Sequence, residues 1–223
     1  MDADSYRRST MTSEEAAEHD RVFGDLAART RALMEAQLLT EVDHDEVAAI
    51  GEELDALTER LRAAARTDPH GVEVGPGGRV RNFGNAVVGL RNPIAPPVSV
   101  ERSPDGKAWS SFHLGPLFEG PPGLVHGGVT ALLLDQLCGE AAAAGSSPGM
   151  TARLDLTYRR PTPLGDLSAE AWIDHVDGHK TTVKGHICDA EGLPTVEAEG
   201  LFILPRWARE AMAASRERPD SFE

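Results

Sequence analysis

One stretch of the chain, residues 123–144 (GLVHGGVTALLLDQLCGEAAAA), constrains the fold more than any other. It opens around two consecutive glycines and continues as an almost uninterrupted apolar run. A helix that is apolar nearly all the way round is normally buried in a core. We therefore predict a long central helix that the rest of a domain covers.

Asp135 lies in the middle of this predicted helix, where an unpaired carboxylate is costly to bury. It shares a helix face with Gly128, about 10 Å away at 1.5 Å per residue. The N–H groups of Gly127 and Gly128, at the positive end of the helix dipole, suit a developing oxyanion, and the carboxylate suits activation of water. Because the two ends are too far apart to act on one carbonyl, such a site would be shared between two subunits. A structural acid is the alternative reading of Asp135.

The segments on either side of the helix alternate between apolar and polar residues. One apolar face per strand, short turns and no crossover helices predict an antiparallel sheet with one covered face. The predicted class is therefore α+β, with a curved antiparallel sheet wrapped around the long central helix. The predicted strands are a hairpin at 98–114, which turns at 104–106, and segments 151–159, 167–176, 179–189 and 195–204.

The N-terminal part of the chain has a helical rather than a strand pattern. Val47, Ile50, Leu54, Leu57 and Leu61 are spaced 3, 4, 3, 4, which is the seam of a packed helix pair. We predict an N-terminal helical hairpin that either covers the flank of the main domain or acts as an oligomerisation or lid element. The predicted segments are a disordered tail at 1–12, this helical extension at 13–66, a loop at 67–97, a main domain at 80–205 and a charged C-terminal tail at 206–223.

Composition excludes several classes of protein. The formal net charge of −14 argues against a nucleic-acid-binding protein, and a polyanionic ligand would need a local basic patch. The two cysteines, Cys138 and Cys188, do not make a disulfide framework and suit a reducing cytosol. No secretory leader and no apolar run of ~20 residues is present, so we expect a cytoplasmic protein without a membrane span.

Three segments, PPGLVHGGVTALLLDQL, MTARLDLTYRRPTPLG and VDGHKTTVKGHI, resemble the hotdog-fold acyl-CoA thioesterases of the phenylacetate type. The signature of that family is HGG, an Asp nine positions after the His, and a Thr or Ser that opens the next strand. The matching residues are His126, Gly127, Gly128, Asp135 and Thr151. The resemblance covers residues 80–205 and implies the hotdog fold.

The resemblance also implies a reaction, the hydrolysis of an acyl-CoA by a homodimer or a homotetramer built as a dimer of dimers. Coenzyme A is part of the substrate, and no separate cofactor or metal is implied. Gly127 would be the main N–H donor, and Asp135 would either activate water or attack the carbonyl directly. Thr151 would hold the water or be an ordinary strand residue, and His126 would cap the helix or contact the substrate.

The phosphates of coenzyme A call for basic groups. Arg159 and Arg160, together with Gly178-His179-Lys180, are candidates, because family members often carry Gly-Arg-Lys at the latter turn. Solvated charges at strand ends are the alternative. Asn92, followed by Pro93, matches an Asn-Pro segment that borders the acyl pocket in such enzymes, and a plain loop is the alternative there.

Two further functions fit the same fold. A non-catalytic acyl-CoA-binding or regulatory module would make Asp135 structural. A hydratase or dehydratase would pair a catalytic His with an acid in a different motif, which this sequence lacks. The Gly-Leu-Val-His-Gly-Gly stretch is not a G-x-S-x-G nucleophile motif, and the eight histidines form no H-E-x-x-H metal array.

Overall fold

The computed structural model describes residues 6–78, 80–206 and 208–209. The chain forms two compact units, Met1–Ala95 and Pro96–Glu223. Residues 1–5 of the predicted N-terminal tail, and residues 207 and 210–223 of the predicted C-terminal tail, lie outside the described residues.

The first unit combines two helices with a small sheet. Its strands pair in the order β1-β2-β3, with β1 parallel and β3 antiparallel to β2. Buried Arg81 of β3 forms ion pairs with Asp20 of α1 and Glu73 of β2, and so joins the sheet to the helix. The elements are β1 Tyr6–Arg8, α1 Ser13–Leu39, α2 His44–Arg62, β2 Val72–Val74 and β3 Val80–Asn82.

Both predicted N-terminal helices are present, but their surroundings differ from the prediction. No side chain of α2 is buried, so the predicted packing of its apolar seam is not made within this unit. The three short strands lie in segments predicted as a tail and a loop. Three residues are too few to show a period of two, which explains why the sequence did not reveal these strands.

Among its described residues, the second unit is a single sheet around one long helix. Six strands pair antiparallel throughout in the order β4-β5-β7-β8-β9-β6. Helix α3 packs against all six of them, which confirms the predicted hotdog architecture. The elements are β4 Glu101–Ser103, β5 Lys107–Leu114, α3 Gly127–Ala144, β6 Met150–Tyr158, β7 Gly165–Asp177, β8 Lys180–Cys188 and β9 Pro194–Ile203.

Helix α3 is buried on one face only, although it is apolar nearly all the way round. Leu134, Cys138 and Ala141 are fully buried against the sheet. On the other face Gly128 and Leu132 are exposed, and Asp135 is half-buried. A single chain therefore leaves part of its central helix open.

Strand β6 forms one free edge of the sheet and contains a bulge near its start. Thr151 pairs with Phe202, but Arg153 already pairs with Leu201, so Ala152 is the extra residue. A bulge of this kind shifts the alternation of side chains by one position. Thr151 consequently faces α3, whereas strict alternation had placed it on the opposite face with Arg153.

Candidate active site

The first half of the site is the N-terminus of α3. His126 is the N-cap, and its Nδ1 accepts the Gly128 N–H at 2.9 Å. The N–H of Gly127 has no hydrogen-bond acceptor among the residues that the structure describes. Of the two predicted donors, Gly127 is therefore the one available to a ligand, because the N–H of Gly128 is engaged by the cap.

The carbonyl of Gly127 is held from two sides. The Thr130 hydroxyl donates to it at 2.8 Å and the Tyr158 hydroxyl at 3.0 Å. The sequence analysis did not single out Tyr158. The signal for it was its position on the same face of β6 as Leu154 and Leu156, which directs it toward the helix.

A cavity of about 390 Å³ opens beside this helix end. Gly127 and Thr130 form one wall, and residues 158–162, the stretch that follows β6, form another. The predicted basic residues Arg159 and Arg160 are in this lining. The structure thus brings the predicted oxyanion donor and two predicted phosphate-binding residues to one cavity.

The second half of the site lies further along α3. The Thr151 hydroxyl donates to Asp135 Oδ1 at 2.8 Å. The β6 bulge produces this contact, since it turns Thr151 toward the helix. The described residues make no hydrogen bond to Asp135 Oδ2, so one carboxylate oxygen remains available for water.

Cys138 lies one turn beyond Asp135 but is not a competing nucleophile. Burial raises the pKa of its thiol to about 12, and the nearby charge of Asp135 adds to this effect. The thiolate is the reactive form of cysteine. Cys138 is therefore an inert thiol at neutral pH.

The two halves of the site do not meet within one chain. Gly127 and Asp135 are eight residues apart on α3, about 12 Å along the axis. Both lie on the side of the helix next to β6, with Tyr158 beside the first and Thr151 beside the second.

The predicted phosphate-binding groups lie at two different ends of the sheet. Arg159 forms an ion pair with Glu197 at 2.8 Å, and Arg160 donates to the Pro194 carbonyl at 2.8 Å. Arg160 forms no ion pair with a described residue, whereas the charge of Arg159 is already paired.

Gly178-His179-Lys180 form the turn between β7 and β8, where Gly178 has φ +58°. This turn begins β8, while Arg160 lies near its end, about 26 Å away along nine residues of strand. The turn lies instead at the end of the sheet that holds Thr151, because Thr151 and Thr181 both pair with Phe202.

Asn92 belongs to the first unit. Its side chain donates to the carbonyls of Gly84 and Asn85, at 3.2 and 3.3 Å, and accepts the Ile94 N–H at 3.2 Å. These bonds order its loop, and a role for Asn92 in substrate binding stays a prediction.

The described residues contain no group of three or more His, Cys, Asp or Glu side chains placed to hold a metal ion. Among the same residues, no helix combines the length and the apolar character that a bilayer span requires.

Comparison with known proteins gives concordant results. Residues 122–195 match the model of the thioesterase superfamily. A crystal structure described as a thioesterase superfamily protein is 33% identical, with a TM-score of 0.73, over 88% of this chain and 93% of that one.

Among curated proteins, acyl-coenzyme A thioesterase THEM4 of Xenopus laevis is 34% identical over 94 residues, and that of Bos taurus is 36% identical over 98 residues. These matches cover 41% of this chain, and 42% and 38% of the two relatives. The chain therefore spans less than half the length of the curated relatives that it matches.

Proposed function

The chain belongs to the thioesterase superfamily, and from this premise we propose that it hydrolyses an acyl-CoA to the free acid and coenzyme A. The observation that carries the proposal is the division of α3 into two chemically different ends. One end offers the unpaired N–H of Gly127 beside a cavity, and the other offers Asp135 bonded to Thr151. A thioester carbonyl needs both kinds of group, a donor for its oxygen and an activated nucleophile for its carbon.

Pairing of two copies along β6 would bring these ends together. The Arg159 N–H donates to Thr195 O and therefore points toward β9. Backbone N–H and C=O groups alternate in direction along a strand, so those of Leu154 and Leu156 point away from β9, toward the open edge. An exposed edge of this length is a template for a further strand. Antiparallel pairing about the middle of β6 places Thr151 of one copy near Tyr158 of the other. Asp135 of one copy then approaches Gly127 of the second, which gives a homodimer. Two such dimers would form a homotetramer.

The reaction follows from the groups in this arrangement. Asp135 accepts a proton from water as the water oxygen bonds to the thioester carbon, and Thr151 holds the carboxylate in place. The Gly127 N–H stabilises the negative charge that develops on the carbonyl oxygen. The C–S bond then breaks, and the departing thiolate takes up the proton. Direct attack by Asp135, with a mixed anhydride as intermediate, uses the same groups.

Coenzyme A enters this proposal as part of the substrate. In the dimer, the Gly178-His179-Lys180 turn of one copy lies at the same end of β6 as Arg160 of the other. The basic groups that one chain separates would then form a single patch for phosphates. The predicted cytoplasmic location stays a prediction, as does the absence of a nucleic-acid partner.

Replacement of Asp135 by Asn tests the proposal. The amide keeps the size of the side chain but cannot take a proton from water, so we expect kcat to fall by ~100-fold or more. Release of free thiol from a panel of short, medium, long and aryl acyl-CoAs measures the effect. Circular dichroism and oligomeric mass serve as controls, and near-normal turnover on every substrate would exclude Asp135 from the chemistry.

A non-catalytic acyl-CoA-binding or regulatory module is the second candidate. It is consistent with the hydrogen bond that Asp135 receives from Thr151, since a structural acid would also be bonded in this way. The same panel separates the two functions. Tight binding of an acyl-CoA by the unmodified protein, without release of thiol, would favour the module.

A further inference from the structure

Helix α2 (His44–Arg62) lacks the tertiary contacts that a helix of its length needs. None of its side chains is buried, and among the described elements of its unit no helix or strand makes more than marginal contact with it. Val47 and Leu61, near its two ends, are 50% and 62% exposed. In proteins, most of the stability of a helix comes from the packing of an apolar face rather than from the propensity of its residues. Among the described residues of its unit, no helix or strand buries the exposed seam of α2.

The spacing of the seam identifies the kind of partner. Steps of 3, 4, 3 and 4 residues are those of a two-helix coiled coil, in which apolar a and d residues of two helices interlock. A second helix with the same spacing would cover the seam fully. The a positions are Val47, Leu54 and Leu61, and the d positions are Ile50 and Leu57.

The charges beside the seam select a second copy of α2 in antiparallel orientation. Glu46, Glu53 and Arg60 occupy g positions, and the e positions are occupied by His44, Gly51 and Thr58. In a parallel pair g residues face e residues, which gives no ion pair. In an antiparallel pair g faces g, so Glu46 of each helix meets Arg60 of the other. Neither side chain forms an ion pair within the described part of its own chain.

Gly51 is explained by the same arrangement. A glycine in a helix interior weakens the helix, and a Cβ at this position would meet nothing within 4 Å. The fold of the single chain therefore does not require glycine here. In the antiparallel pair the two copies of Gly51 lie next to each other near the centre, where the missing side chains allow close approach of the helices.

We propose that α2 is a self-association surface, on which α2 of a second copy packs antiparallel with Glu46 of each chain bonded to Arg60 of the other. The contact is separate from the β6 edge and does not depend on catalysis. Glu53 faces its own copy in this arrangement, which weakens the contact without abolishing it.

A cross-link reports this contact directly. Cysteine at the central position, Gly51→Cys, should form a disulfide-linked dimer under mild oxidation. The matched control, Glu52→Cys, lies on the outer face of the helix and should not. The two native cysteines are buried and do not interfere.

Charge reversal then tests the orientation. In the Gly51→Cys protein, Arg60→Glu or Glu46→Lys alone creates two repulsive pairs, and each should lower the cross-linking yield several-fold. A 1:1 mixture of the two single variants restores both attractive pairs, so hetero-dimers of differently tagged chains should form at close to the original yield. Glu53→Gln removes the like-charge contact and should raise the yield.

Three results would overturn the proposal, each in protein with normal helicity by circular dichroism. The first is equal yields from Gly51→Cys and Glu52→Cys. The second is a yield that neither charge reversal changes. The third is a 1:1 mixture of the Arg60→Glu and Glu46→Lys variants that gives no higher cross-linking yield than either variant alone. Because the readout is the cross-linked species itself, these results are independent of whether the protein cleaves thioesters.

Discussion

At the scale of single residues, the site depends on which backbone N–H of the two neighbouring glycines, Gly127 or Gly128, is left without an intramolecular hydrogen bond. The His126 cap takes the N–H of Gly128, whereas that of Gly127 has no acceptor among the described residues. The sequence alone made both glycines candidates, because both precede the first complete turn. The difference comes from a side-chain contact that spacing cannot reveal.

The Gly127 N–H can be removed while its surroundings are kept. Gly127 is the first helical residue, where proline fits because its φ suits a helix start and His126 already has an extended ψ of 131°. We expect Gly127→Pro to lower kcat by ~100-fold or more through loss of the oxyanion donor. Steady-state kinetics on the preferred acyl-CoA measure this loss.

Gly127→Ala is the matched control for this experiment. Its Cβ would lie 3.3 Å from the Tyr158 ring, as would that of proline, but its N–H is retained. Equal losses for Ala and Pro would assign the effect to crowding and would argue against Gly127 as a donor.

Thr151 offers a second matched pair. Thr151→Val keeps the shape of the side chain but loses the hydrogen bond to Asp135, whereas Thr151→Ser keeps it. A hydrogen bond to a charged group contributes ~1.5–3 kcal/mol, so we expect a 10- to 100-fold lower kcat for Val and a small change for Ser. Steady-state kinetics of the two variants measure these effects. Similar kcat values for both variants would show that the Thr151 hydroxyl has no role in catalysis.

At the scale of elements, the important feature is the side of α3 that the sheet of its own chain does not cover. Leu132 lies on that side and is 39% exposed. We expect Leu132→Glu to yield a monomer with little activity, because it places a charge in the proposed interface. Leu193→Glu, at a residue 48% exposed in the turn before β9, should change neither property. Light scattering gives the mass, and an active Leu132→Glu monomer would contradict the shared site.

The elements also show how far the sequence could predict the fold. Helix α3 and strands β5 to β9 were predictable, since each is long enough to display its period, whereas the three-residue strand β4 was located by the turn of its hairpin. The face of Thr151 was not, because it depends on the bulge at Ala152, and a bulge leaves no period of its own. The seam of α2 was recognised, but its partner was left open between the flank of the main domain and another subunit, because spacing alone does not say which surface covers it.

At the scale of the whole molecule, two chains with different defects should repair each other. An Asp135→Asn chain still supplies Gly127, and a Gly127→Pro chain still supplies Asp135. Half of the dimers in a 1:1 mixture are mixed, and each has one intact site of two, so we expect up to about a quarter of the unmodified activity. Thiol release after subunit exchange measures it, and a mixture as inactive as its components would place both groups in one chain's site.

The open edge of β6 also has a consequence for how this protein would behave on dilution. If the N–H donor and the general base of one site come from opposite ends of α3 in two different chains, a monomer has no complete site and is inactive. The specific activity of the protein would then fall as the sample is thinned, and at the lowest concentrations the rate would grow with the square of the amount of protein. The activity of such an enzyme would be regulated by its own concentration through dimerisation, without any effector.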